Sequence, residues 1–349
     1  MIERRTVLLL AGAVGLAGCV TTWTPRTAGP QIALQWPFSP HPAKVTFARS
    51  LSGFAASRGA GSALRTLAYG GGGGDARGAF VLPVAVAGGA DGRVAVADPG
   101  CRCAHLFLPA AGRYLKLTGS PQEAMLSPVA VTFDDELRLF VSDAQGKVFA
   151  FGADGALEFI LASAGTTPFG RPTGLAFSPL SKRLYVVDTP AHSIYAFDRR
   201  RELVATFGGR GEAAGQFNYP THLAWAPPGE LYVTDALNFR VQILDEQGRT
   251  RGGFGRHGDG SGDIAMPKGV AVDADGVVYL VDGLFDSVQL FDRDGAFLLT
   301  VGRRGTDFGE FWLPSGAFLS ANGELYVCDT YNRRIQVFRV TENYVAPAS

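Results

Sequence analysis

Residues 219–244 read "YPTHLAWAPPGELYVTDALNFRVQIL" and contain three short apolar segments separated by turn residues. Pro220 opens the first segment, Asp235 closes the second, and the third ends nine residues later. Apolar runs of roughly four to eight residues bounded by Gly, Pro, Asn and Asp are typical of short β-strands. The stretch therefore predicts three successive strands joined by tight turns.

The same arrangement recurs six times along the chain. The opening prolines follow one another at steps of 44 to 48 residues and the closing aspartates at steps of 45 to 47. The prolines are Pro83, Pro128, Pro172, Pro220, Pro267 and Pro314, and the aspartates are Asp98, Asp143, Asp188, Asp235, Asp282 and Asp329. A fourth segment follows in most repeats, and four short strands in about 45 residues are the signature of a propeller blade. We predict an all-β, six-bladed β-propeller.

The wording of the repeats points to a family. Residues 209–248, "GRGEAAGQFNYPTHLAWAPPGELYVTDALNFRVQILDEQG", closely resemble an NHL repeat, and so do residues 308–338. The resemblance extends over residues 77–340 and is most specific in blades three to six. It implies a six-bladed propeller, in agreement with the number of repeats.

The last repeat has only three strands before the chain runs into "TENYVAPAS". The missing strand is expected at the other end, where "AKVTFARSLSG" (residues 43–53) has the alternation of an outer strand. This strand would complete blade six and remove an exposed sheet edge. The predicted propeller therefore spans residues 43–341, with a C-terminal tail at 342–349.

The first forty residues carry an export signal and a linker. Residues 1–18 combine Arg4 and Arg5 with a short apolar run, and "LAGC" resembles a bacterial lipobox that would place a lipid on Cys19. Both the Sec and the twin-arginine routes remain open. Residues 19–42 are rich in Pro and Thr and are predicted to form a tether. These features predict a cell-envelope lipoprotein, facing the periplasm or the surface, with Val20 favouring the outer membrane.

Charge limits the partners. Lys+Arg and Asp+Glu both number 32, so the net charge is zero. A general nucleic-acid binder usually carries a basic surplus. We therefore expect no nucleic-acid binding. The chain is predicted to be a monomer that contacts the membrane only through its N-terminal lipid and binds an envelope protein or polymer.

Functional residues are expected where the repeat is broken, because an aspartate that recurs in six blades serves the turns. His222 occupies a slot that holds Ala or Gly in the other blades, and His192 lies in the turn after Asp188. Several cations fall on the same face as these histidines. The candidate ligand- or partner-binding residues are His192, His222, Arg240, Arg256, Lys268, Arg304 and Arg334. An alternative reading makes Arg240 and Arg334 structural residues of a recurring turn.

A zinc enzyme is the competing hypothesis. The fold resembles that of the peptidyl-α-hydroxyglycine α-amidating lyase, which holds zinc with histidines immediately after the inner-strand prolines. The corresponding positions here contain no histidine: they are Val84, Val129, Thr173, Thr221, Lys268 and Ser315. The zinc-dependent lyase activity is therefore not inferred for this chain, and no catalytic residue is assigned. A metal-assisted lyase or hydrolase at the propeller mouth, with zinc or calcium near His192 and His222, remains the alternative to a binding or scaffold module without a cofactor.

Three cysteines remain after Cys19. In an oxidising compartment, Cys328 of blade six is expected to pair with Cys101 or Cys103 of blade one and to staple the closing seam. The odd number leaves one thiol unpaired. A bridge within Cys101-Arg102-Cys103 would be strained, and these two cysteines alone are a poor metal site.

Overall fold

The computed structural model describes residues 21–57 and 78–341. The predicted signal, Cys19 and the predicted C-terminal tail lie outside these ranges. Three strands precede the blades: β1 (Trp23–Ala28), β2 (Gln35–Trp36) and β3 (Val45–Ala56). Two short 3-10 helices, Pro109–Ala111 and Ala236–Asn238, lie in turns. In the described ranges no helix is long and apolar enough to cross a membrane.

The remaining strands form the blades. Blade one contains β4 (Ala85–Gly88), β5 (Val94–Asp98), β6 (Cys103–Leu108) and β7 (Arg113–Leu117). Blade two contains β8 (Pro128–Phe133), β9 (Leu139–Asp143), β10 (Lys147–Phe151) and β11 (Leu157–Leu161), and a two-stranded ribbon of β12 (Ser163–Ala164) and β13 (Thr167–Pro168) follows it. Blade three contains β14 (Pro172–Ser178), β15 (Arg183–Asp188), β16 (Ser193–Phe197) and β17 (Leu203–Gly208). Blade four contains β18 (Pro220–Ala226), β19 (Glu230–Asp235), β20 (Arg240–Asp245) and β21 (Thr250–Phe254). Blade five contains β22 (Pro267–Val272), β23 (Val278–Asp282), β24 (Ser287–Phe291) and β25 (Phe297–Val301). Blade six contains β26 (Ala317–Leu319), β27 (Glu324–Asp329) and β28 (Arg334–Val340).

The blades form a closed ring. Each blade is an antiparallel sheet whose strands pair in chain order. Every inner strand lies against the inner strands of the two neighbouring blades, and β26 of blade six lies against β4 of blade one. The predicted six-bladed β-propeller is confirmed.

Blade six is completed from the N-terminal side. Strand β3 pairs antiparallel with β28, with Arg49 opposite Val337 and Val45 opposite Val340. The guanidinium of Arg49 also donates to both carboxylate oxygens of Glu324, at 2.6 and 2.8 Å. The predicted closure of the ring by an N-terminal strand is confirmed.

Part of the predicted tether belongs to the sheet. Strand β1 pairs with β3 on the side away from β28, and β2 pairs with the beginning of β3. Trp36 is 6% exposed, and its ring centroid lies 5.7 Å from that of Phe338. The sequence shows no strand period here because β2 has two residues and most of β1 is solvent-facing. Between residues 23 and 36 the chain is therefore part of the fold and not a free linker.

Inner strands approach one another closely at one recurring position, two residues after the proline. A Cβ added to Gly269 would lie 2.6 Å from the carbonyl oxygen of Ser315, and one added to Gly316 would lie 2.6 Å from that of Val84. Real Cβ atoms do not tolerate such distances, so small residues are required at most blades. Blade four, with His222 at this position, is the exception.

The six turn aspartates are almost fully buried. Asp143 accepts hydrogen bonds from the amides of Leu126 and Ser127 at 2.6 and 2.9 Å, and each of the other five accepts from the same segment of its own blade. The sequence predicted bonds within the turn itself. The main partners are instead the amides that lead into the inner strand, so each aspartate positions the entrance of that strand.

Candidate functional site

In blades three and six, paired hydroxyl groups lie at the entrance of the central channel. Thr173 follows the inner-strand proline of blade three and Thr189 follows its turn aspartate; their hydroxyl oxygens lie 2.7 Å apart. Ser315 and Thr330 repeat this contact in blade six, also at 2.7 Å. These positions, one after the proline and one after the aspartate, define what we call the channel mouth.

Blade five replaces the hydroxyl pair with Lys268 and Gly283. A Cβ on Gly283 would lie 3.5 Å from Cγ of Lys268 and 2.7 Å from Cε of Met266. The absence of a side chain at residue 283 therefore leaves room beside the lysine stem and the end of Met266, where blades three and six hold a threonine.

Lys268 is a cation without a paired anion. Burial lowers the pKa of Lys268 below its ordinary value, the like charge of Arg171 lowers it further, and Asp282 opposes both effects. The Asp282 carboxylate is already bound to the amides of Ala265, Met266 and Leu284. Among the described residues neither Lys268 nor Arg171 has an ion-pair partner. Two neighbouring cations thus face the mouth with no protein carboxylate to neutralise them.

His222 stands beside this pair. Its side chain is partly exposed, but its Nδ1 atom is buried and has no hydrogen-bond partner. Burial lowers the pKa of His222 to about 3, and the charge of Lys268 acts in the same direction. The imidazole is therefore neutral at neutral pH, with one ring nitrogen unsatisfied. A buried unsatisfied polar atom is costly and often marks a site whose partner is a ligand or water.

The C-terminal halves of the inner strands enclose a space of about 230 Å³ to which all six blades contribute. We call it the axial cavity. Phe133, Phe177, Trp225 and Phe318 line it. The residues of the inner strands are therefore polar and cationic where they begin and aromatic where they end.

Three of the sequence-predicted candidates are used inside the propeller. His192 is 7% exposed, and its Nδ1 accepts the amide of Tyr219 at 3.2 Å. Arg240 donates to Asp235 and Arg334 to Asp329, at 2.8 and 2.6 Å, and each also binds two backbone carbonyls of the preceding loop. These contacts give the three side chains structural roles between turns.

The other two arginines lie at the rim of the same face. Arg256 pairs with Asp263 at 2.5 Å and is largely exposed. Arg304 is exposed, and its backbone bridges to Phe311. Neither is placed at the channel mouth, so the seven predicted candidates do not converge on a single site.

The predicted seam disulfide is not formed. Cys101 and Cys103 are bonded to each other, and Cys328 is a free, buried thiol. Cys328 packs in an apolar cluster with Leu51 and Ile335, where burial raises the pKa of its thiol. The side chain of Cys328, on strand β27, points into the core. Cys101 lies in the turn before β6 of blade one, and Cys103 is the first residue of that strand. The disulfide between Cys101 and Cys103, which the sequence analysis considered strained, is the one that forms.

Within residues 21–57 and 78–341, one group of three potential metal-binding side chains lies close together: Cys101, Cys103 and His105. Both sulfurs are consumed by the disulfide, so this group presents no thiolate pair in the observed state. His192 and His222 do not belong to any such group in the described ranges.

Arg171 and Gly283 are members of the mouth that sequence reasoning missed. Arg171 precedes an inner-strand proline, at a position that varies among the repeats, and nothing in its own blade marks it. Gly283 had a detectable signal, since aligning the residues after the six aspartates shows a glycine in the one blade with a lysine after its proline.

Comparison with known proteins supports the fold. The sequence model of the NHL repeat matches residues 311–338, in blade six. The chain contains an NHL repeat in a six-bladed propeller. The comparison with curated protein sequences gave no match.

Solved structures resemble this six-bladed propeller at low sequence identity. Virginiamycin B lyase from Staphylococcus aureus, in a catalytically inactive form with quinupristin, has 13% identity and a TM-score of 0.55, covering 76% of this chain and 87% of that one. An auxiliary nutrient binding protein from Bacteroides thetaiotaomicron has 13% identity and a TM-score of 0.58, covering 75% and 69%. At these identities the similarity establishes the propeller fold alone.

Proposed function

We propose that this NHL propeller is a lipid-anchored binding module of the cell envelope that holds an anionic group of its ligand at the channel mouth. The ligand class is a protein segment or envelope polymer bearing carboxylate or phosphate groups. Lys268 and Arg171 would bind the anion, and His222 would contribute a neutral hydrogen-bonding nitrogen.

One observation carries this proposal: where blades three and six hold a hydroxyl pair, blade five holds Gly283 and Lys268, the one charged residue that directly follows an inner-strand proline. A partly buried lysine without an ion-pair partner loses solvation with no compensating anion in the protein. An anionic ligand would supply that compensation, and the adjacent Arg171 would add to the attraction. The name of the Bacteroides neighbour, a nutrient binding protein, is compatible with a binding role.

The metal-assisted lyase or hydrolase receives less support from the geometry. It relied on His192 and His222 sharing a ligand, and His192 already accepts the Tyr219 amide with one ring nitrogen. The lyase neighbours share 10 to 13% identity with this chain, which gives no basis for transferring their activity.

Titration calorimetry with a glutamate-rich peptide, and separately with inorganic phosphate, tests the binding proposal. Lys268→Met should weaken peptide or phosphate binding about ten- to a hundredfold, because one charge-assisted hydrogen bond is worth about 1.5–3 kcal/mol. Arg256→Gln, at the rim, is the matched control and should retain wild-type affinity. Equal affinity of the wild type and the Lys268→Met protein for both probes would refute the proposal.

The anchor is tested separately. We propose lipidation at Cys19 and retention in the envelope, with the outer membrane favoured. Cells fed radiolabelled palmitate should label the wild-type chain but not Cys19→Ala, and fractionation should find the wild type in envelope membranes. Label in the Cys19→Ala chain would exclude the proposed attachment.

A further inference from the structure

In blades four and six, three polar side chains surround the turn aspartate. In blade four, Asn238 Nδ2, Arg240 Nε and Gln242 Nε2 all donate to one carboxylate oxygen of Asp235, at 2.8, 2.8 and 3.0 Å. They stand three, five and seven residues after the aspartate. Blade six repeats the set around Asp329 with Asn332, Arg334 and Gln336.

Blade one holds a different set in the same three positions. Cys101, Cys103 and His105 stand three, five and seven residues after Asp98. The positions that stabilise a turn in blades four and six thus hold two sulfurs and an imidazole here. This replacement concentrates reactive side chains at one point of the repeat.

The histidine is held against both sulfurs. His105 Nε2 lies 3.6 Å from Sγ of Cys101 and 3.6 Å from Sγ of Cys103. Its Nδ1 lies 2.9 Å from the hydroxyl of Tyr114, and its Nε2 lies 3.4 Å from Oδ2 of Asp98. His105 is 1% exposed, so its position is fixed by these contacts and by the edge-on ring of Phe80.

A buried carboxylate stands beside the histidine. Burial raises the pKa of Asp98, but the hydrogen bond from His105 and those from the Val81 and Leu82 amides outweigh it, and the pKa lies below its ordinary value. The carboxylate is therefore ionised and can stabilise an imidazolium. A thiolate next to such a histidine is a stabilised leaving group.

The two sulfurs differ in access. Cys101 is partly exposed in the turn, whereas Cys103 is fully buried at the start of β6. A bridge between residues two apart closes a very small loop. The entropic stabilisation by a disulfide decreases as the loop that it closes becomes shorter. The bond therefore contributes little as a structural crosslink, which leaves its chemistry to be explained.

We infer that Cys101 and Cys103 form a redox-active disulfide that oxidises a dithiol, with His105 stabilising the leaving thiolate. A thiolate of the dithiol attacks Sγ of Cys101, and a new S–S bond forms as the Cys101–Cys103 bond breaks. The electron pair leaves on Sγ of Cys103, beside Nε2 of His105. The second thiolate of the dithiol then attacks the first sulfur of the dithiol, which is bonded to Cys101 in the mixed disulfide, and expels the Cys101 thiolate. The dithiol has lost two electrons and two protons, and Cys101 and Cys103 have gained them. No residue of the channel mouth takes part, so the inference is independent of the proposed ligand binding.

The full chain is equilibrated in mixtures of reduced and oxidised dithiothreitol, quenched with a maleimide and examined by peptide mass spectrometry. We expect reversible labelling of the partly exposed Cys101 in the folded protein, while the buried Cys328 stays unlabelled. The Cys101→Ser/Cys103→Ser double variant should keep the wild-type melting temperature within about 2 °C. Reduction that occurs only together with unfolding, or a large loss of melting temperature in the double variant, would show a structural disulfide and overturn the inference.

The role of His105 is tested by the rate at which the oxidised chain reacts with dithiothreitol and with a peptide containing two cysteines. His105→Gln should slow the reaction with either dithiol about tenfold, the factor that corresponds to one pKa unit in the leaving thiol. His257→Gln changes an exposed histidine in another blade and should react at the wild-type rate. Equal rates for all three proteins would remove His105 from the step. Stoichiometric retention of zinc by the reduced chain, with no exchange with either dithiol, would reassign the cluster to metal binding.

Discussion

The hydroxyl oxygens of Thr173 and Thr189 lie 2.7 Å apart at the channel mouth, and the equivalent positions in blade five hold Lys268 and Gly283. The two threonines form a neutral hydrogen bond with each other. In blade five the lysine lies instead beside the space left by the missing side chain of Gly283, which we call the slot. Comparing equivalent positions among the blades thus identifies blade five as the one that differs at the mouth.

Restoring the threonine should close the slot. Gly283→Thr would place its Cβ 2.7 Å from Met266 Cε and 3.5 Å from Lys268 Cγ, so its branched side chain would crowd the methionine end and the lysine stem. We expect about tenfold weaker binding of the glutamate-rich peptide, the loss of roughly one charge-assisted contact. Calorimetry measures it, and Gly252→Ala, in the exposed outer strand of blade four, controls for loss of a glycine. Unchanged affinity in the Gly283→Thr protein would disconnect the slot from binding.

His222 should make the propeller sensitive to acid. Its pKa is about 3 in the folded chain and 6.5 when unperturbed, so the unfolded state binds a proton first as the pH falls. Its contribution to stability is complete above pH 6.5 and is lost between pH 6.5 and 3, at a slope of at most about 1.4 kcal/mol per pH unit.

Replacing His222 with Gln removes that titration. Thermal melts of the wild type and His222→Gln between pH 7 and 4 should show a shallower loss of melting temperature in the variant. Parallel curves for the two proteins would mean that His222 charges freely in the folded state.

Adjacent arginines in blade six should behave differently. Arg334 binds the fully buried carboxylate of Asp329, whereas Arg333 is exposed in the turn. Arg334→Ala leaves that buried charge with fewer donors and should lower the free energy of unfolding by about 2–4 kcal/mol. Arg333→Ala should change it by less than about 0.5 kcal/mol. Chemical denaturation distinguishes the two, and similar values would argue against the structural role of Arg334.

Trp36 reports whether the N-terminal strands belong to the fold. It is buried against Phe338, whereas Phe38, two residues later, is 67% exposed. Trp36→Ala should cost about 3–5 kcal/mol of unfolding free energy and Phe38→Ala less than about 0.5. A cost near zero for Trp36→Ala would restore the description of residues 19–42 as a loose tether.

The sequence predicted the ring because each blade repeats the same proline, aspartate and strand spacing. It did not predict β1 and β2, because they lie outside the repeat, β2 has two residues and most of β1 faces the solvent. It placed Lys268 and His222 on the correct face, because departures from the repeat are visible in one dimension. It could not assemble Arg171 with Lys268, since their proximity depends on how blades three and five face the axis. It also paired the wrong cysteines, because the inward direction of Cys328 follows from strand packing and not from proximity in the ring.

The pairing of β1 with β3 also sets a distance. Strand β1 begins at Trp23, whose amide donates to Gly112 of blade one and whose ring lies 4.7 Å from that of Tyr114. With a lipid on Cys19, three residues separate the membrane attachment from Trp23, and the four steps between consecutive Cα atoms reach about 14 Å at most. The junction of blades six and one is then held next to the bilayer, and blades three and four, opposite in the ring, are the farthest from it. Arg171 and His222 belong to those two blades, so the anchor would direct the ligand-binding side of the mouth outward into the aqueous space.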